Sequence, residues 1–137
     1  MIFSLFISSS SLSADFYEKG KKLFEEKKFD KSKFIFEKNI VFNPKSEMSY
    51  LYLAKIFKEK ENDFSQELNL NNVLILNPKN EEAVYLLTLL KIKQYDYNEA
   101  KNLIKKFNLV CISLCSNIEE IEEKFSKLKP ENAKNKN

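Results

Sequence analysis

The only side chains in this sequence suited to covalent chemistry are Cys111 and Cys115, four residues apart. On a helix that spacing puts their Cα atoms ~6 Å from each other, within bridging range, so an oxidising compartment would favour a disulfide. The other reading of the pair is two small buried hydrophobes. No third or fourth ligand stands near them, and no zinc site is expected. The densest acidic run, Glu119, Glu120, Glu122 and Glu123, falls in the first turns of a helix, where the dipole favours carboxylates; it reads as a solvated face rather than a cation site. The sequence has no His and no Gly-rich phosphate loop, so the commonest general base and the usual nucleotide cradle are both missing. No catalysis, cofactor or metal is expected.

Charge narrows the partners further. The 137 residues carry a formal charge of +3, and every cation is Lys because there is no Arg. Lys129, Lys134 and Lys136 against Glu131 place most of that excess at the C-terminal end, leaving a nearly neutral body. Nucleic-acid and phosphate sites lean on the planar guanidinium, so a nucleic-acid role is disfavoured.

The elements that must position any site follow from spacing. Two Asn-Pro-Lys turns, at Asn43-Pro44-Lys45 and Asn77-Pro78-Lys79, stand 34 residues apart. With one Gly and three Pro in the chain, an all-α fold is favoured. Apolar residues recur at intervals of three and four from Phe16 through Ile40, with a short turn before Phe29-Asp30 and Asp30 as the expected cap of the second helix. The cycle restarts at Ser46, an N-cap candidate, with Tyr50, Leu53, Ala54 and Phe57. Asp63-Phe64 marks its inter-helix turn, and a third pass begins at Asn80 and turns at Tyr95-Asp96-Tyr97. Ser116-Asn117-Ile118-Glu119 has a capping-box pattern, and Ile118, Ile121, Phe125 and Leu128 then form one stripe on a helix ending near Pro130.

These residues resemble the tetratricopeptide repeat family over positions 14 to about 110. The family's 34-residue unit carries bulky and small residues at set places, matched here by Phe16, Gly20, Phe29, Ser32, Phe36 and Pro44. Tyr50, Leu53, Ala54, Phe57 and Pro78 match in the second unit, and Tyr97, Ala100, Ile104 and Phe107 in the third. Phe64 stands one residue late and Glu67 falls where a small residue belongs, which predicts a longer turn and shorter helix in the second unit. Thr88 replaces a Gly or Ala. The resemblance implies a right-handed α-solenoid of about three helix pairs with a C-terminal capping helix. It also implies a concave groove lined by the first helix of each pair, here Tyr17, Lys21, Leu51, Tyr52, Lys55, Lys58 and Tyr85. Phe24, Leu89 and Ile92 read equally as groove or as inter-repeat core. Such a face suits a protein or peptide partner with apolar anchors and some acidic character. The competing expectation is a structural subunit whose groove is filled by its own N-terminal segment, its capping helix or a second copy.

Residues 1–14 carry no charge: an apolar run through Ile7, a tract of Ser8 to Ser11, then Leu12-Ser13-Ala14 before charge begins at Asp15. That resembles a secretory signal and predicts export to a periplasm; the alternative is an apolar turn packed on the first helix of a cytoplasmic protein. Residues 15–129 are expected to form the repeat domain, with 130–137 a disordered tail. No segment reaches the ~20 apolar residues of a membrane span, and the protein is expected to be a monomer or weak oligomer.

Overall fold

The computed structural model describes residues 9–128, with side chains from residue 14 onward. Seven α-helices form among them: α1 (Ser9–Glu25), α2 (Phe29–Phe42), α3 (Glu47–Glu59), α4 (Asp63–Leu76), α5 (Glu81–Lys93), α6 (Tyr97–Val110) and α7 (Ile118–Ser126). No strand is present among the described residues. The expected signal segment 1–14 and tail 130–137 lie largely outside the description. Where it begins, at Ser9, the chain is already helical, and α1 runs unbroken through Ser13-Ala14 rather than starting at Asp15.

The 34-residue period governs the helix boundaries. Helices α2, α4 and α6 begin at 29, 63 and 97 and end at 42, 76 and 110, while α3 and α5 run from 47 to 59 and from 81 to 93. The second unit therefore has neither the longer turn nor the shorter helix predicted from Phe64 and Glu67. Phe64 lies inside α4 and is exposed, and Gln66, thirty-four residues after Ser32, is the buried residue at the small position.

Local chemistry explains the register. Each first helix of a pair ends on a residue in the left-handed region: Lys27 (φ 57°), Glu61 (φ 54°) and Tyr95 (φ 59°). There the backbone closes a Schellman motif, as where Lys27 N–H donates to Phe24 and Lys28 N–H to Leu23, a pattern repeated at 61–62 and 95–96. The next helix is then capped by Asn62, whose Oδ1 accepts from Ser65 N–H, or by Asp96, which accepts from Glu99 N–H. In the first pair the capping position is Lys28, with no side-chain cap bond. Asp30 is not the expected cap; lying inside the first turn, it pairs with Lys60 at 2.5 Å. Ser46 caps α3 as expected, and Asn80 caps α5 by accepting from Ala83 N–H.

The chain divides into two compact units, Met1–Asn72 and Val73–Asn137. In the first, α1 packs on α2 and α2 on α3. Gly20 permits the close approach of α1: Ser32 Oγ donates to its carbonyl at 2.8 Å, and the ring of Phe36 lies where a Cβ would be. The core is aromatic, with Phe36 stacked on Tyr52 at 4.9 Å and Phe24 meeting Tyr52 edge-on at 5.3 Å. Asn39 ties α2 to α3 by donating to Ser49 Oγ at 2.7 Å.

In the second unit α5 pairs with α6, and α7 packs against both. Ala100 and Thr88 are fully buried, and the Thr88 hydroxyl is satisfied by the Val84 carbonyl at 2.7 Å. The capping helix exists but is shorter than expected, ending at Ser126. The capping box does not form: Cys115–Asn117 is a 3-10 turn, and Asn117 makes no side-chain cap bond.

Candidate functional site

Of the residues expected to line a groove, six fall in the first unit and Tyr85 in the second. In the first unit Tyr17 and Lys21 occupy successive turns of α1, and Lys55 and Lys58 successive turns of α3. Tyr17 and Lys21 are partly buried, Lys55 likewise, and Lys58 is exposed. Leu51 and Tyr52 do not line a surface: both are buried, with Leu51 2% and Tyr52 8% exposed. Tyr52 is the hub of the aromatic core, because three rings from α1 and α2 converge on it, and helical spacing alone could not tell this inward position from the neighbouring outward ones. Phe24, facing both Tyr52 and Phe29, is core as well.

Tyr52 nevertheless joins core to surface. The Tyr17 ring meets its edge at 5.9 Å, and the Lys55 ammonium lies over its face, 4.9 Å from the centroid. Lys21 reaches toward Glu25 at 4.0 Å on the exposed side of α1. The result is a small platform in which Lys55 is carried by packed aromatic rings, so its position is restrained more than that of a lone surface side chain. It can hold a carboxylate beside an apolar group. Among the described residues no cluster of side chains could bind a metal ion.

In the second unit Tyr85 is engaged by its own chain. Its ring packs on Phe107 at 5.8 Å, and its hydroxyl donates to Glu120 of α7 at 3.3 Å. Burial, followed by the Glu120 carboxylate, raises the Tyr85 pKa, and Lys124 completes the cluster with an ion pair to Glu120 at 2.8 Å that raises its own. Tyr97 of α6 stacks on Phe125 of α7 at 4.9 Å.

Cys111 and Cys115 are joined in a disulfide, Cα atoms 5.2 Å apart, but not on a helix. Cys111 is extended where α6 ends, and Cys115 opens the 3-10 turn, so the bridge closes the loop leading to α7. Cys115 is exposed, which excludes the reading of both as buried hydrophobes. Sequence spacing gave no sign of the partner of this loop: the Glu81 carboxylate, at the start of α5, accepts the backbone N–H groups of Ile112 at 2.5 Å, Ser113 at 3.0 Å and Leu114 at 3.1 Å, together with the Ser113 hydroxyl. These bonds, the Ile112 N–H first, lower the Glu81 pKa to about 2. A 31-residue separation hid that pairing from any local pattern.

No protein-family model and no curated protein matches the chain. Solved structures do. The first tetratricopeptide repeat domain of Spaghetti (RPAP3), bound to an HSP90 peptide, superposes with a TM-score of 0.72 at 16% identity, over 84% of this chain and 96% of that one. The Sgt2 tetratricopeptide repeat domain from Aspergillus fumigatus gives 0.72 at 15% identity, over 84% and 80%. The CopN-Scc3 complex gives 0.71 at 19% identity, over 90% and 72%. The fold of this chain is that of a tetratricopeptide repeat domain, an all-α helical repeat.

Proposed function

We propose that the protein is a non-catalytic interaction module that holds a peptide or protein segment on the α1–α3 face. The observation that carries this reading is Tyr52 with the Tyr17 ring at its edge and the Lys55 ammonium over its face, where a cation is held beside aromatic surface; Lys21 lies one turn after Tyr17 on α1. Such a face favours an acidic segment with an apolar anchor. The likeness to Spaghetti, seen there with an HSP90 peptide, and to the CopN-Scc3 complex supports the same reading. To test it, a photo-crosslinker placed at Lys58 captures the partner, and its binding is then titrated. Lys55→Glu weakens binding by more than ~1 kcal/mol with the melting temperature of the wild type, and Tyr17→Ala weakens it by as much while also lowering the melting temperature, because its ring packs on Tyr52. Unchanged affinity in both variants would refute the site.

The alternative, a structural subunit whose binding face is internally occupied, is favoured at one point, Tyr85, by its bond to Glu120 on α7. Light scattering separates the two: the interaction module is a monomer or weak oligomer, and the structural subunit an obligate assembly.

We further propose that the protein is exported to a periplasm. The uncharged start and the Ser tract before Asp15 support this, as does the Cys111–Cys115 bridge, which an oxidising compartment maintains. N-terminal sequencing of the chain expressed with its native upstream region is expected to begin near Ala14 or Asp15. An intact Met1 in the cytoplasmic fraction would overturn export.

A further inference from the structure

We propose that the Cys111–Cys115 bridge is a redox-sensitive latch whose reduction by a dithiol releases α7 from α5 and α6. The inference is independent of the binding reading above and concerns the second unit alone.

Three successive N–H groups, from Ile112 to Leu114, converge on one carboxylate only while those residues hold a tight turn. The bridge joins the two ends of that turn, Cys111 leaving α6 and Cys115 entering the 3-10 turn. It thereby removes most of the conformational freedom that the open loop would lose on docking to Glu81. The loop in turn sets the starting point of α7. That helix has nine residues, too few to be stable in water alone, so its helicity depends on being held against its neighbours. What holds it is modest: Ile121 buried, Leu128 buried just past its end, Phe125 stacked on Tyr97, and Glu120 bonded to Tyr85. Without the bridge, docking and helix formation in α7 must be maintained by those contacts while the loop pays its full ordering entropy. The α5–α6 core, with Val84, Leu87, Leu103 and Phe107 buried, does not include the bridge.

The sulfur is reachable. Cys115 is exposed and its neighbour in the loop, Ile112, is 89% exposed. A thiolate of the dithiol attacks Cys115 Sγ, the Sγ–Sγ bond breaks, and Cys111 leaves as a thiolate that takes up a proton. The second thiol of the reductant then displaces Cys115, which is protonated in turn, and the reductant departs as a cyclic disulfide. Two electrons and two protons have passed to the protein. The opened state uncovers the Tyr85 hydroxyl and the Tyr97 ring.

Hydrogen exchange of the full chain, with and without dithiothreitol under native conditions, tests the latch. Thiol labelling confirms reduction, and Cys111→Ser/Cys115→Ser serves as a permanently open variant insensitive to the reductant. The expected result is exchange at least ten times faster across Ile118–Ser126 on reduction, reproduced by the double variant, with α1 to α3, α5 and α6 unchanged. Three results would each overturn the proposal: a bridge that resists dithiothreitol until denaturant is added, unchanged α7 exchange after confirmed reduction, or equal acceleration in α5 and α6.

Discussion

Replacing Gly20 by Ala sets two effects of opposite sign against each other, and the geometry decides between them. Within a helix, Ala is favoured over Gly by about 0.5 to 1 kcal/mol, because less backbone freedom is lost on folding. Against this, a Cβ at position 20 would lie 2.7 Å from Cζ of Phe36 and 2.9 Å from both Cε atoms. Carbon atoms prefer about 3.5 to 4.0 Å. The Phe36 ring cannot swing aside, since it is fully buried and stacked on Tyr52, which is itself fixed by Phe24 and Tyr17. The helices must part instead, stretching the 2.8 Å bond from Ser32 Oγ to the Gly20 carbonyl. Overpacking of this kind costs about 1 to 3 kcal/mol. The balance is a net loss of about 1 kcal/mol, read as a lower midpoint in urea unfolding followed by far-UV circular dichroism. A second background isolates the cause. In Phe36→Leu the obstructing ring is gone, so Gly20→Ala should there stabilise by about 0.5 to 1 kcal/mol. A stabilising Gly20→Ala in the wild-type background, or the same sign in both, would refute the close-approach argument.

Two other expectations follow from local geometry. Tyr95 holds a left-handed conformation that glycine adopts without strain, and the residue is 78% exposed, so Tyr95→Gly should stabilise by about 1 kcal/mol in thermal unfolding. Glu81 has a pKa depressed from 4.5 to about 2, so its contribution to stability is complete above pH 4.5 and is lost as pH falls toward 2. Amide resonances of Ile112, Ser113 and Leu114 should titrate in the folded wild type with a midpoint near pH 2, staying nearly flat at pH 4.5, and should show no such step in Glu81→Gln. Glu26 and Asp30, depressed by hydrogen bonds from Lys28 and Lys60, add acid sensitivity in the first unit but leave those three resonances unaffected.

The all-α class, the 34-residue period and the paired helices were legible in the sequence because they depend on local interactions repeated along the chain. Apolar residues at helical spacing, Pro44 and Pro78 after the second helices of the first two pairs, and Ser46 at a cap position report on bonds made within a few residues. The same locality explains where that reading failed. A displaced aromatic at Phe64 suggested a distorted second unit, whereas backbone capping at Glu61 and Asn62 kept the period and left the ring outside. Asp30 has the right type to cap a helix, but capping depends on the dihedral angles of one position, and that position belongs to Lys28. Burial was the tertiary structure's decision. Leu51 and Tyr52 are consecutive in α3 and Lys55 follows about one turn later, and only the arrival of Tyr17, Phe24 and Phe36 made Tyr52 core while Lys55 stayed partly exposed above it. So too for the loop at 111–115: two cysteines four apart announced a bridge within reach, but its role depends on Glu81, brought from some thirty residues away by the pairing of α5 with α6. Patterns of neighbouring residues encode what the backbone does locally, and long-range packing alone selects which side chains meet.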